Sequence, residues 1–236
     1  MKRSDGVRPR PATLRALGVD DPPLRIEVNG AAYTRATIFK HDSVAATALY
    51  ESPQGKIVCK FNRRQAFVGL PSRWLGRLLA RREAQVLRLL ENVPNIPRLS
   101  GEVFVAGAHC ENAVAHEYIE GRPLRRRERV GDQFFPALER TLAEMHKRDV
   151  GCGDLNKREN IIVGDDGMPY LIDFQISLFL SNRWPGNSRM ARAVIEWMKA
   201  ADRYHLQKHY ARSRPDLFGM TSREIDTSER RFERRR

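Results

Sequence analysis

The chain has 236 residues, 41% of them hydrophobic and 30% charged, with a formal net charge of +13. That length suits one large domain or two small lobes, and no run approaches the ~20 apolar residues of a membrane span. Three cysteines without C-x-x-C spacing, Cys59, Cys110 and Cys152, offer neither a disulfide framework nor a zinc site.

Residues 1–24, rich in Arg, Pro and Asp, read as a flexible basic leader. Its first residues, Met1-Lys2-Arg3-Ser4-Asp5-Gly6, lack the apolar core of a secretion signal, so a cytoplasmic protein is expected. Leu24-Arg25-Ile26-Glu27-Val28 alternates apolar with polar and ends at Asn29-Gly30, a strong hairpin signal. Further strands are expected over 33–39, 45–51 and 56–61, then a helix over 78–91 and two strands at 103–106 and 112–118. Phe135, Leu138, Leu142 and Met145 recur at three- and four-residue steps, which predicts an amphipathic helix over 134–148. A hairpin follows: Ile161-Ile162-Val163 and Tyr170-Leu171-Ile172 flank the turn Gly164-Asp165-Asp166-Gly167. A second long helix is expected over 190–210, with Ala193, Val194, Trp197, Met198, Ala201 and Tyr204 as its apolar side. Trp184 and Trp197 read as packing residues, Pro215 as a helix breaker, and 221–236 as a charged, solvated tail.

The densest chemistry surrounds the second hairpin. Asp154-Leu155-Asn156-Lys157-Arg158-Glu159-Asn160 leads into it and Asp173-Phe174 leaves it. A hairpin brings its ends together, so Asn160 and Asp173 are expected to converge. Oxygen ligands converging on one point suit Mg²⁺, which binds through one or two protein oxygens plus substrate phosphates. This reads as a phosphoryl-transfer site, with Asp154 aiming an acceptor hydroxyl. Asp165 and Asp166, at the far end of the hairpin, read as turn formers.

These residues resemble the protein-kinase-like superfamily, whose catalytic loop reads H-R-D-x-x-x-x-N and whose metal aspartate opens D-F-G. Here stand Cys152-Gly153-Asp154-Leu155 with Asn160, and Asp173-Phe174-Gln175. Upstream, Lys56-Ile57-Val58-Cys59-Lys60 resembles the V-A-I-K strand, and Glu83 takes the place of the αC glutamate. Glu117-Tyr118-Ile119-Glu120-Gly121 resembles the hinge that receives adenine. The resemblance spans roughly residues 33 to 180. It implies the α+β class: a bilobal kinase-like fold with a small antiparallel-sheet N-lobe (25–118) and a truncated, mainly helical C-lobe (119–220), binding ATP and Mg²⁺. On this resemblance Asp154, Lys60 and Glu83 are catalytic, and Asn160 and Asp173 hold the metal. ATP contacts then fall to Lys60, to Glu117 and Ile119 through their backbones, to Lys157, and to Ser43 in the stretch that replaces a glycine loop.

Several positions depart from the pattern. No G-x-G-x-x-G precedes Lys60, Cys152 replaces the loop histidine, and Gln175 replaces the glycine after Asp-Phe. Asp154 and Asn160 stand one residue further apart than in the common motif, and no A-P-E is present. These features resemble reduced members of the superfamily, the bacterial lipopolysaccharide (Kdo/heptose) kinases and the RIO-type serine/threonine kinases. The implied acceptor is a hydroxyl on a lipopolysaccharide-type sugar or on a protein Ser/Thr. The alternative is a catalytically weak pseudokinase or a basic nucleotide- or nucleic-acid-binding module, nucleic acid being the less favoured partner. Residues 66–79 mix Phe67, Leu70, Trp74 and Leu75 with Arg73 and Arg77. Two readings stay open for them: the first turns of the αC-like helix, or an element docking on the acidic inner face of a membrane.

Overall fold

Alternating apolar and polar residues turn much of the first half of the chain into strands. The computed structural model describes residues 14–65, 73–180 and 188–219, with the single positions 224 and 227. Two units divide the chain: Met1–Ala84 with Leu99–Tyr118, and Gln85–Arg98 with Ile119–Arg236. The class is mixed α+β.

The first unit is an antiparallel sheet of eight strands: β1 (Arg25–Val28), β2 (Ala31–His41), β3 (Ala45–Ser52), β4 (Gly55–Asn62), β5 (Leu99–Gly101), β6 (Val103–Val105), β7 (Ala108–His109) and β8 (Ala113–Glu117). Their order is β5-β8-β4-β3-β2-β1-β6-β7. Asn29 and Gly30 both take positive φ, 51° and 75°, the geometry a two-residue hairpin needs between β1 and β2. Two irregularities in the β2–β3 register, at Arg35/Thr37 and Ile38/Lys40, bend the long β2 and curl the sheet. The pleat of the central strand β4 sends Ile57, Cys59 and Phe61 into an apolar cluster with Ile26, Val28, Ala46, Ala48, Tyr50 and Val103. Tyr50 is buried there, and its hydroxyl donates to the Pro23 carbonyl at 2.7 Å.

Residues 14–24 differ from the flexible leader that composition suggests. Ala16 and Leu17 are buried, Leu17 inside the sheet's apolar cluster. Arg64 N–H donates to the Ala16 carbonyl at 2.9 Å, and Arg35 N–H to that of Leu24 at 2.8 Å. Burying a leucine and satisfying backbone groups is enough to hold so short a segment.

Helix α1 (Arg73–Leu89) starts five residues before the helix expected from periodicity. Gly76, Ala80, Glu83 and Leu87 form its buried stripe, at three- and four-residue steps, and buried Leu90 continues it just past the helix. Trp74, Leu75 and Leu78 are exposed. Of the stretch with two open readings, residues 66–72 lie outside the described residues, and 73–79 are the opening turns of this helix.

In the second unit, β9 (Gly121–Pro123), β11 (Ile161–Gly164) and β12 (Pro169–Leu171) form a sheet ordered β12-β11-β9. A two-stranded ladder joins β10 (Val150–Gly151) to β13 (Leu178–Phe179). Helix α2 (Phe134–Lys147) buries Phe134, Phe135, Leu138, Leu142 and Met145. It packs on α3 (Arg189–Ser213), where the Phe135 and Tyr210 rings stack at 4.7 Å between centroids. Ser188 caps α3 by accepting from Ala191 N–H, and Pro215 opens the short α4 (Pro215–Phe218). The apolar side expected for α3 is corrected: Trp197 is 64% exposed and Val194 is exposed too. Met198 is buried as expected, and the buried side runs on through Ile195, Asp202, His205, Leu206 and His209. Two of its polar groups, Asp202 and His209, hold neighbouring backbone. Trp184 and most of 221–236 lie outside the described residues. Among the described residues, no helix is long and apolar enough to cross a membrane.

Candidate functional site

Lys60 owes its position to strand alternation. It faces away from the apolar cluster, paired across the ladder with Thr47 on β3 and Val114 on β8. On that face its Nζ donates to both carboxylate oxygens of Glu83, at 2.9 and 3.2 Å. Lys60 is 6% exposed and Glu83 1%, so both charges are withdrawn from water. Such a pair holds only with good geometry, because desolvation costs several kcal/mol per ion. Gly76 lets α1 come this close: a Cβ there would fall 2.2 Å from the Arg63 carbonyl oxygen. Glu91, the other glutamate of this region, is exposed and lies beyond the helix.

The β2–β3 turn that stands in place of a glycine loop is shaped by Asp42. Its Oδ1 accepts from the N–H groups of Val44 (2.8 Å) and Ala45 (3.0 Å), and Lys40 pairs with its other oxygen at 2.7 Å. These bonds hold the Asp42 carboxyl below its usual range against the opposing effect of burial. Ser43 presents its carbonyl to Arg63 at 2.7 Å. Glu117 closes β8 with an exposed side chain, its carbonyl bonded to His116 Nδ1 at 2.8 Å. Ile119 opens the longer stretch of the second unit.

In the second unit the hairpin register pairs Ile161 with Leu171 and Ile162 with Tyr170. Ile172 N–H then donates to the Asn160 carbonyl at 3.0 Å, which brings the two open ends of the hairpin side by side. Asp173, the next residue, has φ +64°, a left-handed conformation that costs a non-glycine residue about 1–2 kcal/mol. Its Oδ1 accepts from Gln175 N–H at 3.4 Å. The turn aspartate Asp166 accepts from Met168 N–H and from the Tyr170 hydroxyl, while Asp165 is exposed.

The 154–160 loop is taken up by consecutive turns. Lys157 N–H donates to Asp154 O at 3.2 Å, and Asn160 N–H to Lys157 O at 3.1 Å, ending in a 3-10 turn over Arg158–Asn160. Asn160 is buried, and its side-chain Nδ2 donates back to the Asp154 carbonyl at 3.2 Å. Lys157 Nζ holds Asp154 Oδ2 at 2.6 Å, a bond that raises the lysine pKa.

Three residues of this site carry no motif signal. Asp202 of α3, 1% exposed, accepts from the backbone N–H groups of Cys152 (2.8 Å) and Gly153 (3.0 Å), and its Oδ2 lies 3.2 Å from His146 Nε2. His209, two turns further along α3, meets the Leu155 carbonyl through Nε2 at 2.8 Å. Burial lowers its pKa to about 4, so near neutral pH it is the uncharged tautomer with its proton on Nε2. Ser177 Oγ donates to Cys152 O at 2.8 Å. The loop backbone is thus fixed on several sides. Cys152 is buried among these groups, and burial together with the Asp202 charge pushes its thiol pKa far up. It is a packed, unreactive thiol. A signal did exist: polar residues at three- and four-residue steps along α3, on the side the apolar pattern left out.

Asn160 and Asp173 supply oxygen donors, the chemistry Mg²⁺ prefers. With its nitrogen spent on the loop, Asn160 leaves Oδ1 as the atom that could meet a cation. Among the described residues no set of three or more His, Cys, Asp or Glu side chains gathers as a metal cage. Mg²⁺ does not require one, since it keeps waters and takes phosphate oxygens beside one or two protein ligands. The donor set fits.

No protein-family model matches the chain. A search of curated proteins also finds no match.

Proposed function

We propose that this chain is an ATP- and Mg²⁺-dependent phosphotransferase of reduced protein-kinase-like fold, acting on a hydroxyl acceptor. The observation that carries the reading is the buried Lys60–Glu83 pair. A lysine on a sheet strand held by a glutamate on a helix is the arrangement a kinase uses to orient nucleotide phosphates. The convergence of Asn160 with the strand leading to Asp173 supports it independently. In this mechanism Lys60 binds phosphate oxygens and Glu83 aims it. Asn160 and Asp173 would hold the cation, which when bound offsets charge on the phosphates. Asp154 orients the acceptor hydroxyl and takes its proton late, because a loose transition state needs alignment more than early deprotonation. Asp202, His209 and Ser177 keep the loop backbone in place.

The acceptor proposed is a lipopolysaccharide-type sugar or a protein Ser/Thr, as in the kinases this sequence resembles. The exposed Trp74, Leu75 and Leu78 on α1, close in sequence to Arg73, Arg77 and Arg81, favour work beside an acidic membrane surface. One observation favours a second reading, a nucleotide-binding protein without transfer. The Asp42 carboxylate occupies turn amides that a glycine loop would offer to phosphate. Transfer from labelled ATP into fractionated cell extract, resolved into lipid and protein products, separates the two. The kinase reading expects Mg²⁺-dependent labelling that Asp154→Asn reduces at least about 100-fold. Turnover that survives Asp154→Asn would argue against it, and ATP binding without labelling would favour the second reading.

A further inference from the structure

A cavity of about 480 Å³ opens beside the 154–160 loop, built entirely from the second unit. Its wall carries five cations, Arg122, Arg125, Arg126, Lys157 and Arg158, against one carboxylate, Glu159. Two stretches of chain supply them, and sheet pairing keeps those stretches adjacent. Arg122 pairs with Val163 and Pro123 with Ile162, and Leu124 N–H donates to Ile161 O at 2.8 Å. Leu124 is buried beneath, so the arginines on either side of it turn outward. Arg122 is further held by Glu128, which also accepts from Arg125 N–H at 2.8 Å.

Like charges around one small concavity repel each other unless an anion joins them. Guanidinium groups match phosphate oxygens bidentately, and four of the five cations are arginines. Lys157 belongs both to this wall and to Asp154, whose Oδ2 it holds at 2.6 Å. An anion seated in the cavity is therefore one side chain away from the residue that would aim the acceptor.

We infer that this cavity is the acceptor subsite, and that the acceptor already carries a phosphate ester next to the hydroxyl to be modified. The inference rests on the kinase reading above and names its substrate class. Phosphate in the cavity draws on Lys157 as well as on the arginines, which loosens the Lys157 hold on Asp154 as the acceptor arrives.

The test measures binding of glycerol 1-phosphate, with glycerol as the phosphate-free control, by calorimetry. Sedimentation with phosphatidylcholine vesicles doped with phosphatidic acid is measured in parallel. Wild type is compared with Arg125→Ser/Arg126→Ser and with Arg125→Lys/Arg126→Lys. Both arginines are exposed, so both variants keep the fold, which circular dichroism checks. The expected result is salt-sensitive binding of a phosphate-bearing probe, weakened about tenfold or more by the serine pair and less by the lysine pair, with no binding of glycerol. Binding of vesicles alone marks a lipid-borne acceptor, and binding of glycerol 1-phosphate a free one. Equal binding by wild type and the serine pair, or binding of neither probe, overturns the subsite. ATP binding on the same samples reports on the kinase reading separately: ATP bound but no probe overturns the subsite alone, and probe bound but no ATP overturns the acceptor role.

Discussion

Lys60 and Glu83 set the terms at the scale of single residues. Each is buried against the other's charge, so removing either takes a counter-charge away from a buried ion. Lys60→Met and Glu83→Leu are each expected to destabilise the protein by about 3–5 kcal/mol in urea denaturation. The double variant should recover most of that loss, since an apolar pair of similar volume fits the same space. ATP-dependent transfer should be absent in all three, which separates the structural from the functional value of the pair. The motif residues Lys60, Asp154, Asn160 and Asp173 stand out in the sequence because the chemistry proposed for them would reside in their own side chains. Asp202 does not. Its role is to accept from two backbone amides, and amides look alike in every sequence. Asp42 was hidden for the same reason, its function being to cap a turn.

At the scale of elements, turn chemistry was the most readable feature. Asn29-Gly30 announced the first hairpin, and Gly164-Asp165-Asp166-Gly167 the second, because only a few residue types tolerate those turns. Helix limits were less readable. Residues 66–79 fit either a helix or a surface-seeking segment, and hydrophobic residues alone could not decide between them. Gly76 has no side chain to display a periodicity, yet it governs how closely α1 approaches Arg63. Gly76→Ala is expected to lower stability by about 2–4 kcal/mol and to cut transfer activity, because backing α1 away from Arg63 carries Glu83 with it. Gly30→Ala is the control. Nothing lies within 4 Å of a Cβ there, so only the positive φ is penalised, at about 1–2 kcal/mol with activity retained. Equal effects from the two substitutions in a melting and activity comparison would contradict this account of α1.

For the whole molecule, charge and acidity matter most. The net charge of +13 was plain from composition, whereas its concentration along 122–129 and 157–158 gained meaning only once β9 was seen beside β11. Acid sensitivity centres on His209. Burial holds its folded pKa near 4, below the 6.5 of an unperturbed imidazole. The unfolded chain therefore binds this proton first, and stability falls as pH drops from about 6.5 toward 4 by on the order of 3 kcal/mol. Above pH 6.5 the imidazole is neutral in both states and contributes no slope. His209→Gln, which retains an N–H for the Leu155 carbonyl, should flatten that part of the stability profile in urea titrations at stepped pH. The use of α3 as an anchor also limits how this chain can change in evolution. Adding or deleting one residue upstream in the helix would swing Asp202 by about 100° around the axis, away from Cys152 and Gly153. Replacements on the solvent side of α3 can drift freely, but its spacing is locked.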